Sequence, residues 1–201
     1  MTEAATRVLV VYCHPLDDSF VAAVRDRVLA GLDQGGADIR VTDLYADGFD
    51  PLFDADDHAS HMSPGAPPSL RSHTDDLQWC DMLVLVYPTW WGGQPAMLKG
   101  WIDRVWVNGV AWTLPDGANR LSPRLRNVRR LVAVTTHGSP KRINALEGEG
   151  GKRTLTRSLR LMCHPLARTT WLPLYAVDTI SEDRRTAFLD RVERRLARLA
   201  R

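Results

Sequence analysis

Residues 82–107 read MLVLVYPTWWGGQPAMLKGWIDRVWV, and three kinds of local chemistry follow one another there. Met82–Val86 is a short apolar run of strand type. Tyr87–Gln94 then gathers a proline, a threonine, two tryptophans and two glycines. Pro95 suits a first helical position, because its missing N–H would have no partner there. From it Ala96, Leu98, Ile102, Val105 and Trp106 recur at helical spacing. Two tryptophans in a connection that should be polar point to a site for a flat ligand at the end of a strand.

Working outward, Arg7–Tyr12 (RVLVVY) is a near-continuous apolar run, as a strand buried on both faces requires. Cys13–Asp18 is a turn with His14 and Pro15, and Ser19 is placed to cap a helix. Phe20, Val24, Val28, Leu29 and Leu32 form the stripe of that helix, and Gln34-Gly35-Gly36 ends it. Ile39–Leu44 is a shorter, more polar strand suited to an edge. Arg129–Thr136 is a fourth strand. Thr169–Val177 is a fifth, and Pro173 within it argues for an edge or a distortion. Helices are expected over Lys152–Cys163 and after Ser181. The last carries Phe188, Val192, Leu196 and Leu199 on one face and six arginines on the other, read as a solvated face. Strands alternating with helices make the whole chain, 1–201, one α/β domain with a parallel sheet. Such sheets bind ligands beyond the carboxyl ends of their strands. The loops Cys13–Phe20, Pro88–Gln94 and Thr135–Gly138 leave those ends.

The 201 residues carry 26 basic and 24 acidic side chains, a net charge of +2, which is no signature of a nucleic-acid binder. No apolar run reaches the roughly 18–20 residues of a transmembrane segment, and the amino terminus lacks the order of a signal peptide. A cytoplasmic location is expected. Cys13, Cys80 and Cys163 form no CxxC and read as thiols of a reducing compartment. Cys13 beside His14 reads as a small buried residue rather than a nucleophile. Tyr45–Ser72 is too long for a structureless loop and should contain a short helix or fold over a site or partner. His58 and His61 with Asp54, Asp56 and Asp57 lack convincing ligand spacing, so no metal is assigned. Neither GxGxxG after the first strand nor GxxxxGK[ST] is present, so neither phosphate fingerprint holds the ligand.

His14-Pro15 with Ser19-Phe20, then YPTWWGGQPAMLKGWIDRVWVNGVAW, then TTHG, together resemble the flavodoxin-like NAD(P)H:quinone oxidoreductase family. The resemblance is closest to the branch of the quinone reductases and drug-activity modulators. It covers about Arg7–Gly138. It implies a flavodoxin-like three-layer sandwich, a five-stranded parallel sheet of order 2-1-3-4-5, a flavin, and a homodimer with active sites at the subunit interface. It implies hydride transfer from NADH or NADPH through the flavin to a quinone or another small electrophilic acceptor. FAD is favoured over FMN by the His-Pro…Ser-Phe and LKGWIDRV features.

On the same resemblance, His14, Asp18, Ser19 and Phe20 would stand around the flavin phosphate. Asp18 takes a place where the family often has threonine or serine. Pro88, Thr89, Trp90, Trp91 and Gly92 would hold the ring system and its chain. Thr135, Thr136, His137 and Gly138 would border the pyrimidine end, His137 replacing a glycine of the usual TTGG. Mammalian relatives place a tyrosine and a histidine in the following loop. Here that loop reads SPKRINALEGEGGK, and ungapped counting puts Ile143 and Glu149 at those positions, with Asn144 adjacent. The catalytic candidates are therefore His137, Asn144 and Glu149, with quinone preference open. Two other readings use the same fold: a flavin-binding regulatory subunit of a membrane transporter, and a flavodoxin-type electron carrier.

Overall fold

The computed structural model describes residues 4–61 and 63–201. Five strands form the central sheet: β1 (Arg7–Tyr12), β2 (Asp38–Asp43), β3 (Met82–Pro88), β4 (Arg130–Thr136) and β5 (Arg168–Leu174). All neighbours are parallel and the order is β2-β1-β3-β4-β5, as the resemblance implied. All seven residues of β3 are buried, which explains why its sequence does not alternate. Alternation appears instead as a division between two cores. Leu9, Val11, Leu83, Leu85, Leu131 and Ala133 face one layer; Val8, Val10, Val84, Val86, Val132 and Val134 face the other.

The second layer is made by helices α1 (Phe20–Gln34) and, at the far end of the chain, Glu182–Ala200. They approach so closely that a Cβ on Gly31 would collide with the backbone of Glu193. At the end of α1, Gly36 N donates to Asp33 O and Ala37 N to Leu32 O, and Gly36 has φ of 78°. This double bond pattern is the Schellman ending expected of the Gly-Gly pair. On the opposite side lie α2 (Ala55–His61), α3 (Arg71–Trp79), α4 (Ala96–Val105), α5 (Lys141–Leu146) and α6 (Gly150–Arg153). The last continues through a π-helical Thr154–Leu159 to Arg160–Met162. The carboxyl-terminal helix, Glu182–Ala200, is α7.

Several boundaries move from their sequence positions. Pro95 is the cap of α4 rather than its first residue, with ψ of 152° and its carbonyl accepting from Lys99 N. The fifth strand stops at Leu174, because Ala176 adopts φ of 57°, a left-handed conformation that cannot continue a strand. Ser181 stands at the cap of α7 without a side-chain cap bond. Residues 107–125 hold a two-stranded hairpin, Trp112–Thr113 with Ser122–Pro123. The Tyr45–Ser72 excursion contains α2 and a 3₁₀ turn, Pro68–Leu70. Asp57 and Arg104, 2.7 Å apart and both nearly buried, pin α2 to α4. His61 Nε2 meets Asp103 O at 3.1 Å. These two contacts hold α2 against α4.

Candidate functional site

Register brings the loops together. Pro88 at the end of β3 stands level with Thr136 at the end of β4, which stands level with Leu174 of β5. The next bond, Thr89 N to Thr136 O at 2.7 Å, ties the first two loops. Beyond it the chain folds into a two-residue hairpin, with Trp90 N donating to Gly93 O at 3.2 Å and Gly93 N to Trp90 O at 3.1 Å. Its central residues, Trp91 and Gly92, have φ of 49° and 72°, the type I′ pattern normally filled by Asn-Gly. Holding a tryptophan left-handed costs about 1–2 kcal/mol. The ring gains nothing from the core in return, since Trp91 is fully exposed. Strain of this kind persists where surrounding structure enforces it. Here Gly151 N donates to Gly92 O at 3.1 Å, and Gln94 Nε2 donates to Gly151 O at 3.1 Å. A Cβ on Gly150 would sit 3.0 Å from Gly92 O, so the glycine run lets one loop lie flat on the other.

The hairpin walls a cleft of about 580 Å³. Pro88, Thr89, Trp90 and Trp91 face His14, Ser19, Phe20 and Val21, and Thr136, Gly138, Ser139, Val177 and Asp178 complete the lining. Ser19 caps α1 by accepting from Ala22 N at 3.1 Å. The N–H groups of Phe20 and Val21 lie ahead of that bond and have no intrahelical acceptor. His14 Nδ1 accepts from Leu16 N at 3.1 Å. Among the described residues the N–H groups of Trp91, Gly92 and Gly138 have no partner within the chain. Among the described residues, no lysine or arginine lines the cleft. The cleft therefore offers neutral donors and aromatic surface, an arrangement for an anionic group at a helix start and a flat ring beside it.

The residues picked from the sequence separate into distinct places. His14, Ser19, Phe20, Pro88, Thr89, Trp90, Trp91, Thr136 and Gly138 share the cleft. Asp18 is exposed and not among its lining, so its carboxylate does not oppose an anion there. Thr135 is fully buried behind Thr89, its Oγ1 2.9 Å from Thr89 Oγ1. Gly92 and His137 line a smaller annex of about 210 Å³ with Thr89, Trp91, Asn144 and Glu147. His137 N donates to Leu174 O at 2.8 Å, so that amide is not available to a ligand.

Around His137 the structure assembles a second group of side chains. Its ring stacks on Tyr175 with centroids 4.6 Å apart. Its Nδ1 is 2.6 Å from Asn144 Oδ1. Tyr175 donates to Glu149 Oε1 at 2.8 Å, and Lys152 pairs with Glu149 Oε2 at 2.7 Å. Glu149 is another left-handed residue, with φ of 46°, and its carboxylate acts on His137 by charge as well as holding Tyr175. Burial lowers the His137 pKa, against the Asn144 bond and the charges of Glu149 and Glu147. The Lys152 contact holds Glu149 below its ordinary value, helped by Tyr175. Burial and then the Glu149 carboxylate push the Tyr175 phenol up to about 12. The loop after TTHG lacks a tyrosine and a histidine, yet a tyrosine–histidine pair stands at this end of the sheet, drawn from the end of β4 and the end of β5. Tyr175, Ser139, Val177 and Asp178 were not singled out in the sequence, although each follows the carboxyl end of a parallel strand. Cys13 is fully buried, and burial pushes its thiol up to about 12, which removes it as a nucleophile near neutrality.

The model of the flavodoxin-like fold family matches residues 6–199. Over 108 residues the chain is 35% identical to the Escherichia coli uncharacterized NAD(P)H oxidoreductase YcaK, covering 53% of this chain and 55% of that protein. Over 153 residues it is 27% identical to NAD(P)H dehydrogenase [quinone] 1 of Cavia porcellus, covering 68% of this chain and 55% of that one. The chain thus spans about half the length of the curated relatives it matches. The crystal structure of Smu.1420 from Streptococcus mutans UA159 superposes with a TM-score of 0.85 at 27% identity, covering 96% of this chain and 100% of that one.

Proposed function

Because the chain belongs to the flavodoxin-like fold family, we propose that it is a flavin-dependent NAD(P)H dehydrogenase that reduces quinones or similar electrophilic acceptors by two-electron hydride transfer. The observation that carries this reading is the strained, fully exposed Trp91 beside a cleft of unpartnered N–H donors. The donor set fits a flavin: the start of α1, with Ser19 and His14, suits a phosphate without a cation. Trp90 and Trp91 suit a ring face. Gly92 and Gly138 present N–H groups to ring heteroatoms.

A flavin bound here would supply the hydride-transfer chemistry between NADH or NADPH and the acceptor. The chain's own part is to bind and orient. The α1 amides would hold the anionic end, Trp90 and Trp91 would orient the ring, and His137 and Asn144 of the annex would supply polar groups beside it. We take the cofactor to be FAD, on the resemblance of the His-Pro…Ser-Phe and LKGWIDRV segments. Among the described residues, none of the Tyr45–Ser72 excursion lines the cleft, so that segment is not proposed as an adenine cover. We take the working unit to be a cytoplasmic homodimer with interface sites. Three free buried thiols support the compartment. An apolar groove of about 700 Å³, lined by Phe53, Ile102, Trp106, Trp112 and Leu161, supports a second copy. Among the described residues, no helix is long and apolar enough to cross a membrane.

Purified protein is expected to be yellow and to bleach anaerobically on addition of NADH or NADPH, with re-oxidation by a quinone. Mass measurement of the released cofactor separates FAD from FMN. Colourless protein that takes up neither flavin overturns the proposal.

A further inference from the structure

The proton on His137 can be placed from its neighbours. Asn144 Nδ2 donates to Ser139 O and to Pro140 O, each at 3.1 Å. Flipping that amide would set its oxygen against two carbonyl oxygens, so Oδ1 is the atom that faces the histidine. An oxygen at 2.6 Å can only accept, and Nδ1 therefore carries hydrogen. In the neutral ring the lone pair is on Nε2, which faces Thr89 Oγ1 at 3.5 Å, the outer limit of a hydrogen bond. Thr89 has one hydroxyl hydrogen. Given to Nε2, it leaves Thr89 accepting from Thr135 at 2.9 Å and presenting a lone pair to the cleft. When the ring gains a proton, Nε2–H becomes the donor to Thr89 Oγ1. The Thr89 hydrogen is then free to turn toward the cleft, which Thr89 lines together with the annex.

We propose that His137 is a positioning residue whose protonation converts Thr89 from acceptor to donor toward the cleft, and so stabilises negative charge arriving on the ligand there. The proposal rests on the flavin reading of that ligand. The proton comes from solvent and adds to the Nε2 lone pair; the Thr89 hydroxyl only rotates, and no other bond forms or breaks. The ring is 4% exposed, so charging it is opposed until a compensating anion is near. The surrounding groups set that balance. Glu149 acts on the ring by charge and is held by Tyr175 and Lys152, Glu147 lines the annex with it, and Asp178 lines the cleft. Trp171 meets the ring edge-on at 6.1 Å and adds no charge. Glu149 and Glu147 favour the charged ring, burial opposes it, and the ligand's charge decides.

The test reads the imidazole nitrogens by NMR in flavin-loaded protein, oxidised and then chemically reduced, beside the midpoint potential of the bound flavin as a function of pH. The expected result is a neutral Nδ1–H ring with oxidised flavin and a doubly protonated ring after reduction. His137→Gln and Thr89→Val should each weaken binding of reduced relative to oxidised flavin about tenfold, a shift of about 30 mV for a two-electron couple. Thr89→Ser should restore the wild-type pH profile, which a merely structural role for Thr89 would not predict. A ring that stays neutral on reduction, or a Thr89→Val protein with the wild-type potential profile, overturns the proposal. Wild-type protein that binds no flavin overturns the functional reading instead, and is recognised before any potential is measured.

Discussion

Two loops leave the same end of the sheet and are built in opposite ways. The Trp90–Gly93 hairpin is exposed and left-handed at both central residues, and its tip amides lack partners in the chain. The loop that begins at His137 is buried at its start, and its side chains bond to one another through Asn144, while Tyr175 and Glu149 continue the group. Groups left unpaired at a surface are available to a ligand. Groups paired in the interior respond to charge instead, because the low dielectric magnifies any change of protonation. The contrast assigns holding to the hairpin and electrostatic response to the histidine loop.

The largest effect that could break this division lies at Gly92. With φ of 72° at the second central position, it tolerates no β-branched side chain without strain. Its carbonyl also receives Gly151 N, so a displaced hairpin would lose its brace. Gly92→Val should weaken flavin binding by at least tenfold, measured by fluorescence titration of the apoprotein. Wild-type affinity in this variant would mean that hairpin geometry does not hold the ligand.

A smaller and more diagnostic change is Trp91→Gly. Relief of the left-handed strain, about 1–2 kcal/mol, is offset in part by the greater freedom of glycine in the unfolded chain, about 0.4–1 kcal/mol. Urea unfolding of the apoprotein should therefore show stability equal to wild type or higher. Flavin affinity should fall about tenfold with loss of the ring contact. Gain in one measurement with loss in the other is what a binding role requires. A loss of stability would instead make Trp91 a structural residue.

These two loops also differ in how far the sequence reveals them. The hairpin is contiguous, and Pro-Thr-Trp-Trp-Gly-Gly carries its composition, its turn and its position after an apolar strand in one stretch. A parallel sheet was equally accessible, since runs such as RVLVVY and MLVLVY require burial on both faces, while its strand order came from the family resemblance. The histidine cluster was only half accessible. His137 stood out as a departure from TTGG, and Asn144 and Glu149 as occupants of counted positions, but nothing local joins them to Tyr175. That contact depends on β5 lying beside β4 and on Ala176 turning the chain just past Tyr175. The proline in β5 marks it correctly as an edge strand, but carries no signal for Tyr175 two places later. Asp18 is the opposite case: it adjoins the Ser19 cap in sequence, but is not among the residues lining the cleft.

The smallest expected effect tests whether the histidine loop responds to charge in the folded protein alone. Burial lowers the His137 pKa from the ordinary value of 6.5. Below about 6.5 the unfolded chain then holds a proton that the folded chain refuses, so stability rises with pH across that interval. The contribution is complete above the unfolded value and is lost as pH falls toward the folded one. His73 shifts in the same direction, also through burial, and adds a slope of the same sign. Glu149 acts in a separate window: its pKa is lowered from 4.5, so its contribution persists down to about that pH and is lost below it. Comparing wild type with His137→Gln by urea unfolding at about pH 7.5 and about pH 5.5 removes the shared His73 term. Wild type should lose more stability between the two pH values than the variant does. Equal losses would mean that the buried ring carries no proton linkage, and the two loops would then differ in exposure without differing in role.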